Sequence, residues 1–417
     1  MREVEIVIIG GGSAGLAAAL AAYQEGIQDI IILEREQELG GILQQCIHNG
    51  FGLWKFQEEM TGPAYAERYI NELEKLGITY KLETMVTHLH QDKRIEYVNE
   101  KEGYVSIQAK AVILAMGCLE RTRGAIELPG ERPCGIWTAG TVQKYLNKEG
   151  YVVGKRIFIL GSGDIGLIMA RRLTLEGAVV TGVAELMPYS TGLARNLKQC
   201  LEDFKIPLYL SHTVVDIWGK ERIKGITIAK VDEKLKIIEG TEKVFQVDTL
   251  LLSVGLIPEN VLSLEAGVKL HPNTKGPIVN ESYETSEEGI FACGNVLHVH
   301  DVVDFVSMEG EKAGTCAAKY VKNLLSHGVE IDTIAKKGIS YIIPQKFRLE
   351  NVDERLELKF RVSEPVRDAE IRIYSDGKLL RTSRKRILVP SQMERIILQE
   401  NEIRETKQNL ELEIWGE

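Results

Sequence analysis

Two stretches of the chain share one pattern of apolar and polar positions. In the first, the apolar run Val4 to Ile9 meets Gly10, Gly11, Gly12, Ser13, Ala14 and Gly15, then the alanine-rich segment from Leu16. A second apolar run, Ile30 to Leu33, ends at Glu34. In the other stretch Ile157 to Leu160 meets Gly161, Ser162, Gly163, Asp164, Ile165 and Gly166, and the run from Val179 to Ala184 ends at Glu185. First glycine and closing acid stand 24 positions apart in both (Gly10 to Glu34, Gly161 to Glu185). Continuous apolar runs of this length predict buried parallel strands, and the segment after each glycine cluster predicts a helix. The tails repeat as well. A helix is predicted over 65–76, with strands over 80–89 and 105–108 and a buried strand from Ala111 to Gly117. The second copy predicts a helix over 193–204, strands over 208–217, a meander over 226–238 and a buried strand from Thr249 to Gly255. Such a match implies a repeat of a whole domain.

Residues 335–417 change to period-two alternation, as in Leu356-Glu357-Leu358-Lys359-Phe360-Arg361-Val362. Asp376-Gly377 between two such runs predicts a hairpin. This region is expected to be a small antiparallel β domain for packing, dimerisation or docking of a partner subunit.

Strand, glycine cluster and helix in this order form the context in which GxGxxG binds a dinucleotide. The first glycine permits the tight turn, the second the approach of a pyrophosphate, and the third close packing of helix on strand. Ser13 and Ala14, like Asp164 and Ile165, open a helix whose free amides and partial positive charge suit phosphate. Glu34 and Glu185 are placed to accept hydrogen bonds from a ribose diol. The competing reading is a glycine-rich turn without a ligand.

Composition narrows the choice. The 417 residues carry a net charge of −9, with 44% hydrophobic and 27% charged positions. An acidic chain is a poor partner for nucleic acid. No apolar run reaches the roughly 18–20 residues of a membrane span. No leader pattern precedes the first strand, so a cytoplasmic location is expected. Cys46, Cys118, Cys134, Cys200, Cys293 and Cys316 are scattered without a CxxC, which predicts reduced thiols and no local iron–sulfur site.

On these motifs the chain resembles the two-dinucleotide-binding flavoproteins of the pyridine nucleotide–disulfide oxidoreductase superfamily, over roughly residues 1–330. The resemblance implies an α/β fold of two Rossmann-like domains, the second inserted in the first. An FAD domain would span 1–121 and 256–332, an NAD(P) domain 122–255 and the β-rich C-terminal domain 335–417. FAD would be held by Gly10, Gly12, Ser13, Ala14, Gly15, Glu34, Arg35, Gly41, Ile42, Val86, Ala115, Gly117, Gly294 and Asn295. In the return motif Gly289 to Asn295, asparagine stands where the family has aspartate, and it still offers a hydrogen bond. The nicotinamide dinucleotide would be held by Gly161, Ser162, Gly163, Asp164, Ile165, Gly166, Glu185 and Gly255. No Arg or Lys lies between Glu185 and Arg195 to accept a 2′-phosphate, which favours NAD(H) over NADP(H).

After Gly40-Gly41 the family's disulfide reductases place two cysteines; here those positions are Leu43 and His48, with Cys46 between them. A dithiol relay needs two sulfurs in bonding reach, so electrons are expected to pass through flavin alone. The segments around Cys118, Pro129-Gly130, Trp137 and Val153-Gly154 narrow the resemblance. They are similar to FAD/NAD-binding subunits of sarcosine oxidase, hydrogen cyanide synthase, opine oxidases and dye-linked proline dehydrogenases. They are also similar to NADH oxidase subunits that accompany glycerol-3-phosphate-dehydrogenase-like proteins, a group that Cys46 to Gly52 and Val299 to Asp304 resemble as well. This implies an FAD-dependent NAD(P)H oxidoreductase that passes hydride from NADH to FAD and electrons on to an unidentified external acceptor. The alternative is an electron-transfer subunit in a hetero-oligomer with a partner dehydrogenase or iron–sulfur subunit. A nucleotide sensor without turnover is the third class.

The flavin carries the chemistry; His48, Cys46 and His300 are the candidate side chains beside it. Each has a plainer reading, as a structural histidine or a small apolar wall residue. His298, His300, Asp301 and Asp304 lack a known ligand spacing, so no metal is expected and Asp301 is read as capping the next helix. Arg121 and Arg123 are open between phosphate contact and hinge ion pairing.

Overall fold

A computed structural model describes residues 2–416. The chain divides into two compact units, one formed by residues up to Cys118 together with Pro258 onward, the other by Leu119–Ile257.

The first unit is built on the strand Arg2–Ile9, whose second half, Ile6 to Ile9, is wholly apolar and which pairs in parallel on both sides, with Ile30–Leu33 and with Gly103–Leu114. Register places Ile9 beside Leu33 and Leu114, and Ala292 of the return strand Ile290–Ala292 beside Leu114. Four strands therefore end at one level, the edge where α/β sheets bind ligands. Thr79–Lys81 extends the sheet at one side, and Arg94–Asn99 and Met85–Leu89 turn antiparallel at the other.

Two helices cross this sheet at close range. Ser13–Gln24 begins directly after the glycine cluster, and Val303–Val321 packs against it. A Cβ at Gly310 would overlap the carbonyl oxygen of Ala14, and one at Gly314 that of Ala18. Small residues four apart on both helices let the backbones touch. The helix Gly62–Leu76 starts earlier than the 65–76 pattern predicts, because Thr61 caps it and Pro63 occupies the first turn.

The second unit repeats the plan. Its parallel sheet runs Ile136–Thr138, Thr249–Leu252, Arg156–Leu160, Val179–Glu185, Leu208–Leu210, and the helix Asp164–Leu175 follows the second glycine cluster. A three-stranded antiparallel sheet, His212–Trp218, Gly225–Lys230 and Lys243–Phe245, completes it. The single helix predicted over 193–204 is instead a turn of α-helix, Ala194–Leu197, continued by a wider π-helical turn, Lys198–Glu202.

The C-terminal β region begins at Ile331, not 335, because Ile331–Ala335 pairs with Asn409–Trp415. It holds a five-stranded and a three-stranded sheet around a core that includes Leu358, Phe360, Ile373 and Leu412. Asp376 and Gly377 both take positive φ, 48° and 78°, as a two-residue hairpin requires. It falls within the first compact unit, where the sequence pattern suggests a separate domain. The reason is that its three-stranded sheet presents Tyr341, Lys359 and Arg361 to the first unit's core and loops.

The helix crossing gives a stability test. Gly314→Ala forces a methyl group into the Ala18 carbonyl and is expected to cost about 1–3 kcal/mol, as overpacking does. Chemical denaturation measures it, and unchanged stability would show that the two helices can part freely.

Candidate functional site

The two glycine turns have the same construction. Gly10 has φ 105° and Gly161 φ 100°. A Cβ at Gly10 would lie 2.5 Å from the Ala115 carbonyl oxygen, and one at Gly161 would overlap that of Ser253. The third glycine of each turn lies against the carbonyl of the first, so Gly15 and Gly166 let strand and helix close up. The middle glycine differs. A Cβ at Gly12 would meet no atom within 4 Å, and at Gly163 it would meet only side-chain and carbonyl oxygens at 3.7–4.0 Å. Space is left open where the fingerprint brings a pyrophosphate.

The acids repeat as closely as the glycines. Glu34 is buried and accepts from the Gly11 N–H at 2.6 Å and the Glu36 N–H at 2.8 Å. Glu185, also buried, accepts from the Ser162 N–H at 2.9 Å and the Met187 N–H at 3.0 Å. Each carboxylate is thus fixed to its own turn and to the backbone two residues on. A carboxylate has about four acceptor positions, so lone pairs remain for a diol. On Glu185 the Ser162 Oγ, at 2.6 Å, and the Thr191 Oγ1, at 3.5 Å, also donate to Oε2, which leaves Oε1 as its open acceptor. Asp164 opens its helix but turns aside, accepting from the Leu193 N–H and the Asn196 amide. With Thr191 N–H on Ser162 Oγ, this folds residues 190–193 onto the second turn. Ile165 is half-buried in the helix start, and Gly255 is exposed with φ 101°.

Around the first turn, Gly41 approaches the Gly12 Cα closely and Ile42 is 60% exposed. Ala115 and Val86 are buried, and Gly117 has a positive φ. Arg35 points away to Glu259, 3.8 Å distant. Arg123 donates to the carbonyls of Leu128, Pro129 and Gly130, so its role in the structure is to hold that loop. The Arg121 N–H donates to the Gly255 carbonyl.

The segment that replaces the redox disulfide carries Cys46 and His48. Cys46 Sγ lies 3.3 Å from the Ile42 carbonyl, and burial pushes its thiol up to about 12. The His48 ring centroid is 5.1 Å from that of Phe51. The segment is tied down from below by Asp304, wholly buried, which accepts from the Gly52 and Lys55 N–H groups.

The return strand leads to a buried charged cluster. Gly294 donates its N–H to Glu309 at 2.8 Å. Glu309 also receives His298 Nε2 at 3.1 Å and Lys359 Nζ at 2.6 Å, with His300 Nε2 at 3.4 Å. His300 donates its N–H to Asn295 Oδ1 at 3.1 Å, and the Asn295 amide faces Cys118 Sγ. Burial alone would raise the Glu309 carboxyl, yet the Lys359 ammonium and the two imidazoles hold it well below the usual carboxylate range. Burial would lower the Lys359 ammonium, and Glu309 reverses that. Burial and His300 push His298 down to about 3, so it is neutral.

Two sequence readings change here. Asp301 does not cap the helix Val303–Val321, whose N-cap is Val302; its carboxylate is taken by Arg361 and the Met393 N–H. The group His298, His300, Asp301 and Asp304 does not converge, because both aspartates are committed elsewhere. The cluster that does form is His298, His300 and Glu309, with ligand atoms within 4.8 Å of one another. Its negative charge is already neutralised by the Lys359 ammonium.

Glu309 and Lys359 were not legible as site residues. Glu309 sits in a helical run of mixed polarity, and Lys359 occupies a strand position that alternation assigns to solvent. Gly310 and Gly314 did carry a signal, a pair of glycines four apart inside a helix pattern.

Two parallel-sheet units, each with a dinucleotide turn and one inserted in the other, define the architecture of flavoproteins that hold two dinucleotides. Solved structures share it over three quarters of the chain. The Thermoplasma acidophilum thioredoxin reductase matches with a TM-score of 0.62 at 23% identity, over 76% of this chain and 99% of that one. The Pyrococcus horikoshii L-proline dehydrogenase matches with a TM-score of 0.54 at 20% identity, over 77% and 58%. The chain belongs to the pyridine nucleotide-disulphide oxidoreductase family, whose model matches residues 4–313. Members of this family are FAD-dependent oxidoreductases that use a pyridine nucleotide. Among curated relatives, the glutamate synthase [NADPH] small chain of Halomonas elongata is 25% identical over 346 residues, 76% of this chain and 68% of the relative. The hydrogen cyanide synthase subunit HcnB of Pseudomonas aeruginosa is 25% identical over 334 residues, 74% and 67%. The sarcosine oxidase subunit alpha of a Corynebacterium species is 25% identical over 310 residues, but this chain spans only 30% of it. Among the described residues no helix is long and apolar enough to cross a membrane.

The thiols provide a direct check. Cys134 is exposed, whereas the Cys46 thiol is held protonated well above neutral pH. Iodoacetamide at pH 8 is expected to alkylate Cys134 and spare Cys46 in the native protein. Rapid modification of Cys46, read by peptide mass, would show an activated thiol beside the first turn.

Proposed function

We propose that this chain is an FAD-dependent NAD(P)H oxidoreductase that takes hydride from NADH onto FAD and passes electrons to an external acceptor without a redox disulfide. The observation that carries this reading is the repeated turn: a middle glycine facing open space beside a buried carboxylate that keeps an acceptor position open. The first turn, with Ser13, Ala14, Glu34, Gly41, Gly294 and Asn295, is assigned to FAD. The second, with Ser162, Gly163, Ile165 and Glu185, is assigned to the nicotinamide dinucleotide. FAD when bound supplies the redox chemistry. The chain's residues bind and orient: helix amides face phosphate, Glu34 and Glu185 grip ribose hydroxyls, and buried Asp304 fixes the segment carrying His48.

NADH is favoured over NADPH by charge. Glu185 repels a 2′-phosphate, Asp164 adds a second acid at the same turn, and no Arg or Lys stands between Glu185 and Arg195. The glutamate synthase relatives are named for NADPH, so the choice is open to measurement. Anaerobic mixing is expected to bleach the flavin absorbance with an apparent second-order rate at least about tenfold higher for NADH, a difference near 1.4 kcal/mol. Equal rates would remove the Glu185 argument.

Flavin binding itself has a clean test. An alanine at Gly12 meets no protein atom, so Gly12→Ala should fold with the melting temperature of the flavin-free wild type and yet purify with little or no flavin. A variant that keeps full flavin content would move the pyrophosphate elsewhere.

A second reading, an electron-transfer subunit that needs a partner, is favoured by relatives named as subunits. Ile42, Ile47, Leu53 and Trp54, all exposed, surround the segment that replaces the disulfide and suit a protein partner there.

A further inference from the structure

The C-terminal β module lies outside the region that the family model matches, yet it inserts a charge into the flavin-side core. Lys359 projects from the strand Arg355–Val362, is only 4% exposed, and donates to Glu309 Oε2 at 2.6 Å and to the Tyr283 hydroxyl at 3.0 Å. Glu309, 1% exposed, passes this constraint on. Its Oε1 holds the Gly294 N–H at 2.8 Å, and its Oε2 stands 3.4 Å from His300 Nε2. His300 in turn fixes Asn295 through its N–H and Nδ1, at 3.1 and 3.3 Å. A second link runs in parallel, from Arg361 of the same strand to Asp301 and the Val299 carbonyl. Residues 294–301 are thereby gripped on their inner side by one strand of the added module.

We propose that Lys359 is a positioning residue for the FAD site: paired with Glu309, it fixes the carboxylate that holds Gly294 and sets His300 against Asn295. The proposal rests on the assignment of FAD to Gly294 and Asn295. It means that the module is a working part of the flavin site in addition to any docking role. A buried carboxylate without its cation would be strongly penalised and would relax by moving toward other donors. That movement would release the Gly294 N–H.

The test uses the full-length protein, once the wild type is shown to hold FAD; a wild type unable to bind FAD would fail the functional reading and not this one. FAD dissociation constants and flavin midpoint potentials are compared for Lys359→Met, Glu309→Gln, the double variant and Arg348→Met. Arg348 anchors the same module to Glu281 and Glu284, through its N–H and its guanidinium. It serves as the control for loosening alone. Lys359→Met and Glu309→Gln should each weaken FAD at least tenfold. Their potentials should move in opposite directions, down where a negative charge is left over and up where a positive one is. The double variant, with no unpaired charge, should recover much of both losses, the coupling expected of contacting residues. Arg348→Met should leave both constants near wild type. The proposal is overturned if the single variants leave both constants unchanged, if their potentials shift with the same sign, or if Arg348→Met matches Lys359→Met. Should Lys359→Met fail to fold, Glu309→Gln against the double variant decides, and equal FAD affinity in those two overturns it.

Discussion

The molecule depends on backbone touching backbone at positions where a side chain would intervene. At Gly10 and Gly161 the chain turns within van der Waals reach of the next strand's carbonyl, and at Gly15 and Gly166 the helix closes on the turn itself. Gly310 and Gly314 repeat the condition between two helices. The result is a strand–turn–helix corner whose first and third glycine positions are too tight for a side chain. Such a corner suits an anion, because unsatisfied helix N–H groups and the helix dipole point at the same space. What distinguishes it from a mere tight turn is the middle glycine, which nothing in the fold requires to be small.

The carboxylates add the second element of recognition. Glu34 and Glu185 are buried, and burial of a charge is tolerated only where hydrogen bonds compensate. Both satisfy this in one way, through an N–H of the turn and an N–H two residues downstream. The carboxylates are therefore held rigidly before any ligand arrives. Preorganisation of this kind lowers the ordering cost of binding. The two units differ in what surrounds the acid: residues 190–193 fold over the second turn through Ser162 and Asp164, while the first is met by Gly40 and Gly41.

The parts of the structure that were legible in the sequence are those fixed by local backbone geometry. Glycine spacing, the apolar strands ending in glutamate and the Asp376-Gly377 hairpin all follow from rules acting within a few residues. The missed features depend on what packs against an element from outside. Alternation along Leu356 to Val362 correctly marks one face for the module's core. It gives the opposite face to solvent, and Lys359 is buried because that face meets the first unit's helix instead. Asp301 departs from the expected helix cap for a related reason. It sits where a helix cap belongs, but Arg361, distant in sequence, claims its carboxylate. Asp304, one turn later, uses its two oxygens for a loop some 250 positions away, as the separation of 252 between Gly52 and Asp304 records.

The buried Lys359–Glu309 pair also bears on why a metal reading of the two histidines is unattractive physically. Three donors within 4.8 Å would ordinarily suit a divalent ion. An ammonium 2.6 Å from the carboxylate already supplies the compensating charge, and adding a cation would place like charges together in a buried site where screening is weak. Replacing a buried pair by apolar residues is often neutral for stability, so its presence is weak evidence of a stabilising role. An interaction that is costly to form, and that the fold could dispense with, is better understood through what it orients. Here it orients the Gly294 amide and, through His300, the side chain of Asn295.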